Sequence, residues 1–296
     1  MRHPALHGNF EPLSEEAARA YRGVVLAALE EDAAANDATT HATIGPEVQA
    51  EARLMFRARG VLAGLRIAAL AMRLSDARVR TEPAAADGSL VEAAMPVARI
   101  WGAARSMLAA ERVALNFLGR LSGVATTTRA YVDAVAGCPV RICDTRKTTP
   151  GLRALERYAV RAGGGYNHRF DLSAAVLIKD NHIAALGSIA EAVRRARSGV
   201  RDGPIVEVEC ESIDDVREAL EAGADAILLD NMELSTMRAA VLIAKGKAVI
   251  EASGGVTLET VRAIAQTGVE IISVGALTHG SAWTDVGLDF VPQRDG

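Results

Sequence analysis

The sequence predicts an α/β protein that consists of a small N-terminal α/β sandwich domain and an irregular α/β barrel. Two features of the second half predict the barrel: short apolar segments alternate with amphipathic ones, and polar residues or glycines close the apolar segments. Such parallel strands are buried on both faces, and their carboxyl ends meet at one rim, where α/β barrels build active sites. The residues that close the six apolar segments are Asp144, Lys179, Glu209, Asp230, Ser253 and Gly275.

The overall composition limits the class of protein. The chain has 296 residues, enough for two domains, and half of them are hydrophobic. A formal net charge of -4 and a pI near 5.9 argue against a nucleic-acid-binding surface. Apolar runs are too short to cross a membrane, and residues 1–12 lack the apolar middle of a signal peptide. Three cysteines, an odd number without metal-ligand spacing, predict a reducing cytoplasm, with Cys143 and Cys210 as small strand residues rather than nucleophiles.

Residues 1–122 are predicted to form the first domain, in the order helix, strand, helix, strand, strand. Ser14 is a suitable N-cap for the first helix, and Asp87 with Gly88 supplies the turn between the last two strands. The tail, 283–296, has no repeat character and is predicted to pack on this domain. The predicted segments are a helix over 12–33, a strand over 52–59, a helix over 62–74, strands over 79–81 and 90–100, and an outgoing helix over 101–121.

Residues 123–282 are predicted to form the barrel domain. Six strand–helix units are visible, fewer than the eight of a regular barrel, so we expect an incomplete or irregular one. Turn and cap residues mark the helix starts, at Pro150-Gly151, Ser188, Ser212, Ser235 and Thr257. The predicted strands cover 140–143, 175–178, 205–208, 226–229, 248–250 and 271–274.

Glycine turns after the last two strands indicate a phosphate-binding site. Ser253-Gly254-Gly255 follows one buried strand and precedes a helix, and Gly275 follows the next strand. Glycines let backbone N–H groups approach an anion, and glycine turns at the last strands often form the phosphate site of α/β barrels. A single Gly-Gly pair is more often only a turn. The paired placement favours phosphate binding.

Glu209 and Asp230 close consecutive strands, so their carboxylates should face each other across the rim. One acidic strand end is usually a solvated cap. Two hard oxygen ligands without histidine or cysteine partners, opposite a phosphate site, favour Mg²⁺ held together with a polyphosphate. We predict that Glu207, on the same strand as Glu209, faces the opposite side, and we leave it out of the site.

Positively charged residues cluster on the first two rim segments of a chain that is acidic overall: Arg146, Lys147, His168, Arg169 and Lys179. Arginine binds planar carboxylates through two hydrogen bonds, and several cations imply a substrate with more than one anionic group. His168 is as consistent with a structural role as with a catalytic one. Composition and spacing therefore predict an enzyme that binds a phosphorylated ligand, a divalent metal and a second, polyanionic ligand. They do not name the reaction.

A series of short motifs runs through most of the chain. The motifs are Glu111-Arg112 to Asn116, Leu121-Ser122-Gly123, Asp144-Thr145-Arg146-Lys147-Thr148, Tyr158-Ala159-Val160, Gly163-Gly164-Gly165, Asn167-His168-Arg169, Ile178-Lys179-Asp180-Asn181-His182, Val206-Glu207-Val208-Glu209, Leu228-Leu229-Asp230-Asn231, Ser253-Gly254-Gly255 and Val274-Gly275-Ala276-Leu277-Thr278-His279. In their order and spacing the chain resembles the quinolinate phosphoribosyltransferase family, the decarboxylating nicotinate-nucleotide pyrophosphorylases. Each fragment alone is weakly specific, but the ordered set is highly specific.

The resemblance implies an N-terminal α/β sandwich and a six- or seven-stranded α/β barrel. It also implies a homodimer in which the sandwich of one subunit covers the barrel mouth of the other, with higher assembly left open. The implied reaction transfers the phosphoribosyl group of phosphoribosyl pyrophosphate to the ring nitrogen of quinolinate with decarboxylation. The products are nicotinate mononucleotide, pyrophosphate and CO₂, on the route to NAD.

The resemblance also implies a role for each matched residue. The quinolinate-binding set is Arg112, Arg146, His168, Arg169 and Lys179, with Arg112 reaching the site of the partner subunit. The set for phosphoribosyl pyrophosphate is Lys147, Glu209, Asp230, Ser253, Gly254, Gly255 and Gly275, with Mg²⁺ on Glu209 and Asp230. The implied catalytic residues are Lys147, Lys179, Glu209 and Asp230.

Two other functions remain open at this point. One is a related transferase that uses another ring acid, such as nicotinate, and the other is a non-catalytic sensor that binds a phosphorylated ligand without forming product. One region departs from the family pattern: residues 31–37 stand where the family usually has a glycine-containing acidic turn. This difference concerns local N-terminal structure and not the matched site residues.

Overall fold

The computed structural model of the protein describes residues 8–199 and 205–292. The chain folds into two compact units. Within the described residues, one unit contains Thr128–Thr149 and Gly165–Gly280, and the other contains Phe10–Thr127, Pro150–Gly164 and residues 281–292. The predictions about the signal peptide and the tail fall partly outside the described residues, at 1–7 and 293–296. The domain boundary at 122 stays a prediction.

The secondary structure comprises α-helices and β-strands throughout both units. The helices are α1 Glu15–Ala18, α2 Arg22–Glu31, α3 Ala38–Thr43, α4 Leu65–Ser75, α5 Ala104–Ala134, α6 Arg153–Ala162, α7 Asp180–Leu186, α8 Ile189–Gly199, α9 Ile213–Glu221, α10 Leu234–Ala244, α11 Val261–Ala265 and α12 Ala276–His279. The strands are β1 Gln49–Phe56, β2 Gly60–Val61, β3 Arg80–Pro83, β4 Leu90–Val91, β5 Pro96–Ala103, β6 Arg141–Cys143, β7 Val176–Ile178, β8 Val206–Cys210, β9 Ala226–Asp230, β10 Val249–Ser253, β11 Ile271–Ser273 and β12 Val286–Phe290. Short 3-10 turns cover Arg19–Tyr21 and Ala34–Asn36.

The unit that begins at Phe10 contains a four-stranded antiparallel sheet in the order β12-β1-β5-β3. On β1, Ala52, Leu54 and Phe56 are buried and alternate with more accessible residues, as expected for a strand with one face in a core. Leu54 pairs with Leu288 on one side and with Ala98 on the other. The antiparallel sheet with helices confirms the predicted α/β character of the N-terminal part.

The elements of this unit differ from the prediction at their boundaries. The strand predicted over 90–100 is two strands, β4 and β5, because Ala94 takes a left-handed backbone conformation (φ 62) that interrupts it. β5 continues through Trp101, so the helix predicted from 101 begins at Ala104. β1 starts earlier than predicted, at Gln49. In the divergent segment 31–37, Ala33 has φ 49, the conformation that glycine adopts without steric cost.

The other unit contains a six-stranded parallel sheet in the order β6-β11-β10-β9-β8-β7. All six predicted strands are present, which confirms the α/β class. The strands are buried on both faces: on β9, Ala226, Ile227, Leu228 and Leu229 are all buried. In residues 8–199 and 205–292, β6 and β7 form no strand pairing with each other, so closure into a barrel stays a prediction.

The register of the parallel sheet places the strand ends next to each other. Asp230, the last residue of β9, pairs with Ser253, the last residue of β10. Glu209 on β8 and Glu251 on β10 both pair with Leu228. The polar strand ends of this sheet therefore lie at one edge. No helix within the described parts of the chain combines the length and apolarity that a membrane span requires.

Candidate active site

A cavity of about 740 Å³ lies at the carboxyl ends of the parallel strands. Residues on or directly after all six strands line it. Eleven of the twelve predicted site residues belong to the lining: Arg146, Lys147, His168, Arg169, Lys179, Glu209, Asp230, Ser253, Gly254, Gly255 and Gly275. The cavity thus contains cations, carboxylates and glycine turns in one place. The twelfth residue, Arg112, is exposed on α5 and is not part of this lining.

The two glycine turns require glycine for different reasons, backbone conformation in the first and close neighbours in the second. Gly254 (φ 90) and Gly255 (φ 58) both lie in the left-handed region. A Cβ on Gly254 would come within 2.3 Å of the Asn231 side-chain oxygen. Gly275 has an ordinary φ of -63, but a Cβ there would lie 3.1 Å from Lys147 Cδ. The absence of side chains leaves the backbone of both turns accessible to a ligand.

The two carboxylates at the ends of β8 and β9 lie in the cavity lining, as predicted. Glu209 Oε2 accepts a hydrogen bond from Lys179 Nζ, so the lysine links the cations of the cavity to its carboxylates. Asp230 Oδ2 accepts a 2.9 Å hydrogen bond from the side chain of Asn231, which takes a left-handed conformation (φ 51). Sequence reasoning did not select Asn231 as a site residue, although its position directly after Asp230 at a strand end is a usable signal.

Two arginines of the cavity are near enough to influence each other. Burial, and then the positive charge of Arg146, lower the pKa of Arg169. Arg169 Nη1 donates to the carbonyl oxygen of Ala175 at 3.1 Å. Arg146 Nε is buried and has no hydrogen-bond partner within the described residues. A buried donor of this kind, beside a second cation, favours an anionic ligand.

His168 is the centre of a buried hydrogen-bond network. Its Nε2 lies 3.1 Å from Glu251 Oε2 and 3.4 Å from Glu207 Oε2. Its Nδ1 accepts a 2.8 Å hydrogen bond from the backbone N–H of Arg169. Asp144 Oδ1 accepts from the backbone N–H of His168 at 2.8 Å. The network therefore joins separate segments of the parallel-sheet unit.

The protonation of this network follows from its hydrogen bonds. Burial lowers the pKa of His168, whereas the charges of Glu251 and Glu207 raise it by more, so the net shift is upward. A second ring proton, however, would stand on Nδ1 and face the N–H of Arg169. The geometry therefore places a ring proton on Nε2, where it faces the two glutamates. Burial, together with the charge of Glu251, raises the pKa of Glu207 to about 7, and its hydrogen bond to His168 acts in the opposite direction.

The prediction that Glu207 faces away from the site is wrong. Residues two apart on a strand point to the same side, so Glu207 shares a side with Glu209, and it contacts His168. Sequence reasoning also missed Glu251. The signal for both is a glutamate inside an otherwise apolar strand, where a buried charge requires partners. Ligand atoms of His168, Glu207 and Glu251 lie within 4.8 Å of one another, but both ring nitrogens are engaged, which favours hydrogen bonding over a metal.

Comparison with known proteins identifies the family. The profile of the quinolinate phosphoribosyl transferase C-terminal domain matches residues 124–289, and that of the N-terminal domain matches residues 37–122. The chain belongs to the quinolinate phosphoribosyl transferase family. A family member from Bacillus subtilis, named probable nicotinate-nucleotide pyrophosphorylase (carboxylating), is 44% identical over 88% of this chain and 89% of its own length. Quinolinate phosphoribosyltransferase (decarboxylating) 1b of Nicotiana tabacum is 40% identical over 90% of this chain and 81% of its own.

Solved structures of the family share the fold. The nicotinate-nucleotide pyrophosphorylase of Francisella tularensis is 36% identical, with a TM-score of 0.85 over 91% of this chain and 97% of its own. NadC from Streptococcus pyogenes is 40% identical, with a TM-score of 0.89 over 95% of this chain and 100% of its own. The expected α/β architecture of the family is therefore confirmed for this chain.

Proposed function

We propose that this protein transfers the phosphoribosyl group of phosphoribosyl pyrophosphate to the ring nitrogen of quinolinate and releases pyrophosphate and CO₂. The product is nicotinate mononucleotide, on the route to NAD. The observation that supports this most strongly is a single cavity that combines two glycine turns, two carboxylates and a group of cations. Family members carry names for this reaction.

The cationic half of the cavity suits a diacid. Arg146, Arg169 and Lys179 can each bind a carboxylate, and the unpartnered Nε of Arg146 requires an acceptor. Two carboxylates on one ring would fix its orientation, so that the ring nitrogen is directed at C1 of the ribose. A dianion would also relieve the repulsion between the two arginines, which lowers the pKa of Arg169 in the protein alone.

The other half suits a phosphorylated sugar. The turns at Gly254 and Gly275 expose backbone to the phosphates, with Lys147 beside Gly275. Glu209 and Asp230 offer hard oxygen ligands, which fits Mg²⁺. When bound, Mg²⁺ neutralises charge that develops on the pyrophosphate. The same two carboxylates stabilise positive charge on the ribose as its bond to pyrophosphate lengthens.

The order of bond changes follows from the chemistry of the two ligands. The ring nitrogen attacks C1, and the C1–oxygen bond to pyrophosphate breaks with its electron pair. The nitrogen now carries a positive charge, which stabilises the electron pair that stays on the adjacent ring carbon when its carboxylate leaves as CO₂. A proton from solvent then adds to that ring carbon. Cations that hold both carboxylates in the first step thus position the ring for both steps.

A turnover assay tests this proposal. The purified protein with quinolinate, phosphoribosyl pyrophosphate and Mg²⁺ should release pyrophosphate and CO₂ in equal amounts. Omission of quinolinate is the matched control and should abolish both signals. A folded protein that binds phosphoribosyl pyrophosphate but forms no product would refute the proposed reaction and support a sensor.

A panel of ring acids tests the substrate. Pyridine diacids and monoacids would be compared under the same conditions. We expect quinolinate to be used at least a hundredfold better than nicotinate, because each lost charged hydrogen bond costs roughly 1.5–3 kcal/mol. Preference for a monoacid would assign the protein to a related transferase.

The shared site of a homodimer is also part of the proposal, with Arg112 acting in the site of the partner subunit. Arg112→Ala should raise the KM for quinolinate far more than the KM for phosphoribosyl pyrophosphate. Mixing Arg112→Ala subunits with Lys179→Ala subunits should restore activity, because one site of the hybrid dimer then has both residues. Absence of restoration in verified hybrid dimers would contradict sharing.

A cytoplasmic location, based on the odd count of three cysteines, completes the proposal.

A further inference from the structure

The buried carboxylates beside His168 have no role in the reaction as proposed. His168 is 6% exposed, and Glu207 and Glu251 are each 1% exposed. Carboxylates this deeply buried are costly unless hydrogen bonds or charges compensate them. Glu251 belongs to the cavity lining, and Glu207 lies two residues before Glu209. The cluster therefore lies directly beside the cavity.

The hydrogen bonds of the His168 ring show how the cluster acts. One nitrogen accepts from the N–H of Arg169, and the other donates to Glu251. Both ring nitrogens are thus directed at protein groups. The guanidinium of the same residue, Arg169, lines the cavity and donates a hydrogen bond to the carbonyl oxygen of Ala175. The ring consequently fixes the backbone that carries a cation of the cavity.

We propose that Glu251 and Glu207, acting through His168, are positioning residues for Arg169, and that His168 acts on quinolinate through Arg169 rather than through a ring nitrogen of its own. This rests on the proposed function of the cavity. The two glutamates hold the ring through Nε2, the ring holds the Arg169 backbone through Nδ1, and Asp144 anchors the backbone of His168 at the same point.

The charges of the cluster support the same role. Arg146 and Arg169 repel each other, and the negative charge of Glu207 acts in the opposite direction on Arg169. A buried glutamate near Arg169 therefore reduces the cost of holding this cation beside Arg146 before the diacid binds. No comparable carboxylate network supports the glycine turns among the described residues that line the cavity.

Substitution of Glu251 tests the proposal. Glu251→Gln keeps the shape of the side chain and removes its charge. We expect the KM for quinolinate to rise about tenfold while the KM for phosphoribosyl pyrophosphate changes less than about twofold, because one charged hydrogen bond behind the diacid site is weakened. Glu270→Gln is the matched control: Glu270 accepts from Ile250 N–H, lies outside the cavity lining, and its substitution should leave both constants unchanged.

Three substitutions of His168 separate positioning from direct contact. An asparagine oxygen can occupy the place of Nδ1 and keep the Arg169 bond, whereas a glutamine nitrogen can occupy the place of Nε2 and keep the Glu251 bond. His168→Asn and His168→Gln should therefore each lose less quinolinate affinity than His168→Ala. If a charged His168 ring contacted the substrate directly, all three substitutions would remove that contact and should lower the affinity for quinolinate equally.

Binding measurements keep the result independent of turnover. Phthalate is a ring diacid that has no ring nitrogen and cannot react. Calorimetry with phthalate should rank the wild type and all variants in the same order as the KM values for quinolinate do. The idea fails if Glu251→Gln matches Glu270→Gln, if the two KM values rise together, or if the three His168 variants are equal. If the wild type does not turn over quinolinate, the proposed reaction fails, and the phthalate series still decides the positioning role. Should Glu251→Gln not fold, Glu207→Gln and the His168 series carry the test.

Discussion

The two halves of the cavity are constructed differently. The phosphate half consists mainly of backbone turns, at Ser253–Gly255 and Gly275, each following directly from a buried strand. The diacid half consists of side chains from separate segments, Arg146 and Arg169, with His168, Glu207 and Glu251 behind them. A backbone turn needs only local sequence, whereas the side-chain half depends on partners far apart in the chain.

This difference predicts where substitutions are tolerated. In the phosphate half, the geometry is set by glycine conformations, so damage should come from added atoms or from lost metal ligands. In the diacid half, damage should come from lost charges and hydrogen bonds, because buried charged groups depend on each other. Measurements that separate the two KM values therefore read the halves individually.

The largest effect is expected from Asp230→Asn. Loss of a carboxylate that we propose to bind Mg²⁺ and to stabilise developing charge should lower kcat/KM about 100- to 1000-fold, since single electrostatic contributions of this kind amount to roughly 3–4 kcal/mol. Steady-state kinetics at varied Mg²⁺ would measure it, with Glu233→Gln on the neighbouring exposed helix start as control. A loss smaller than about tenfold would remove Asp230 from the catalytic set.

Gly254→Ala should affect the phosphate half selectively. The residue has φ 90, and its new Cβ would overlap the Asn231 side chain. Left-handed backbone costs alanine about 1–2 kcal/mol before the overlap is counted, so the KM for phosphoribosyl pyrophosphate should rise at least about tenfold. Gly255→Ala meets nothing closer than 3.7 Å and should have a smaller effect. Equal effects would show that backbone conformation matters more than the contact with Asn231.

Arg146→Lys should affect the diacid half by a smaller amount. Lysine keeps the charge but loses the planar fork that binds a carboxylate through two hydrogen bonds. We expect the KM for quinolinate to rise about tenfold, with phosphoribosyl pyrophosphate almost unaffected. Unchanged use of quinolinate would mean that the buried Nε of Arg146 serves another ligand.

The smallest expected effect is the slow alkylation of the buried thiols of Cys143 on β6 and Cys210 on β8. Burial, and then the charge of Glu251, raise the pKa of Cys143, while burial and nearby carboxylates raise the pKa of Cys210 to about 12. Raised pKa values leave both thiols protonated at about pH 8, so iodoacetamide should modify the partly exposed Cys138 first. Mass spectrometry of the alkylated protein measures the order. Early modification of Cys143 would indicate that the parallel sheet opens near β6 in solution.

Much of the fold could be predicted from the chain because its pattern is local. The six parallel strands follow from apolar runs closed by polar residues, and Ser212 caps its helix as expected. The boundaries of the elements were less predictable. Ala94 takes a left-handed backbone conformation inside an apolar segment, and an alanine side chain gives no sign of this conformation. Arg112 shows a further limit, because its helical position alone indicates a surface residue and only the family resemblance gives it a role.

For the site, the sequence by itself determined which residues close the strands, and hence that Lys179, Glu209, Asp230 and Ser253 would lie at one edge. This succeeded because parallel strands of a sheet end on the same side. Only the tertiary structure decided that Glu251, 83 residues away, and Glu207 both meet His168. The physical reason is that a buried charge is stabilised by partners that packing brings together, and no local pattern specifies which partners those are.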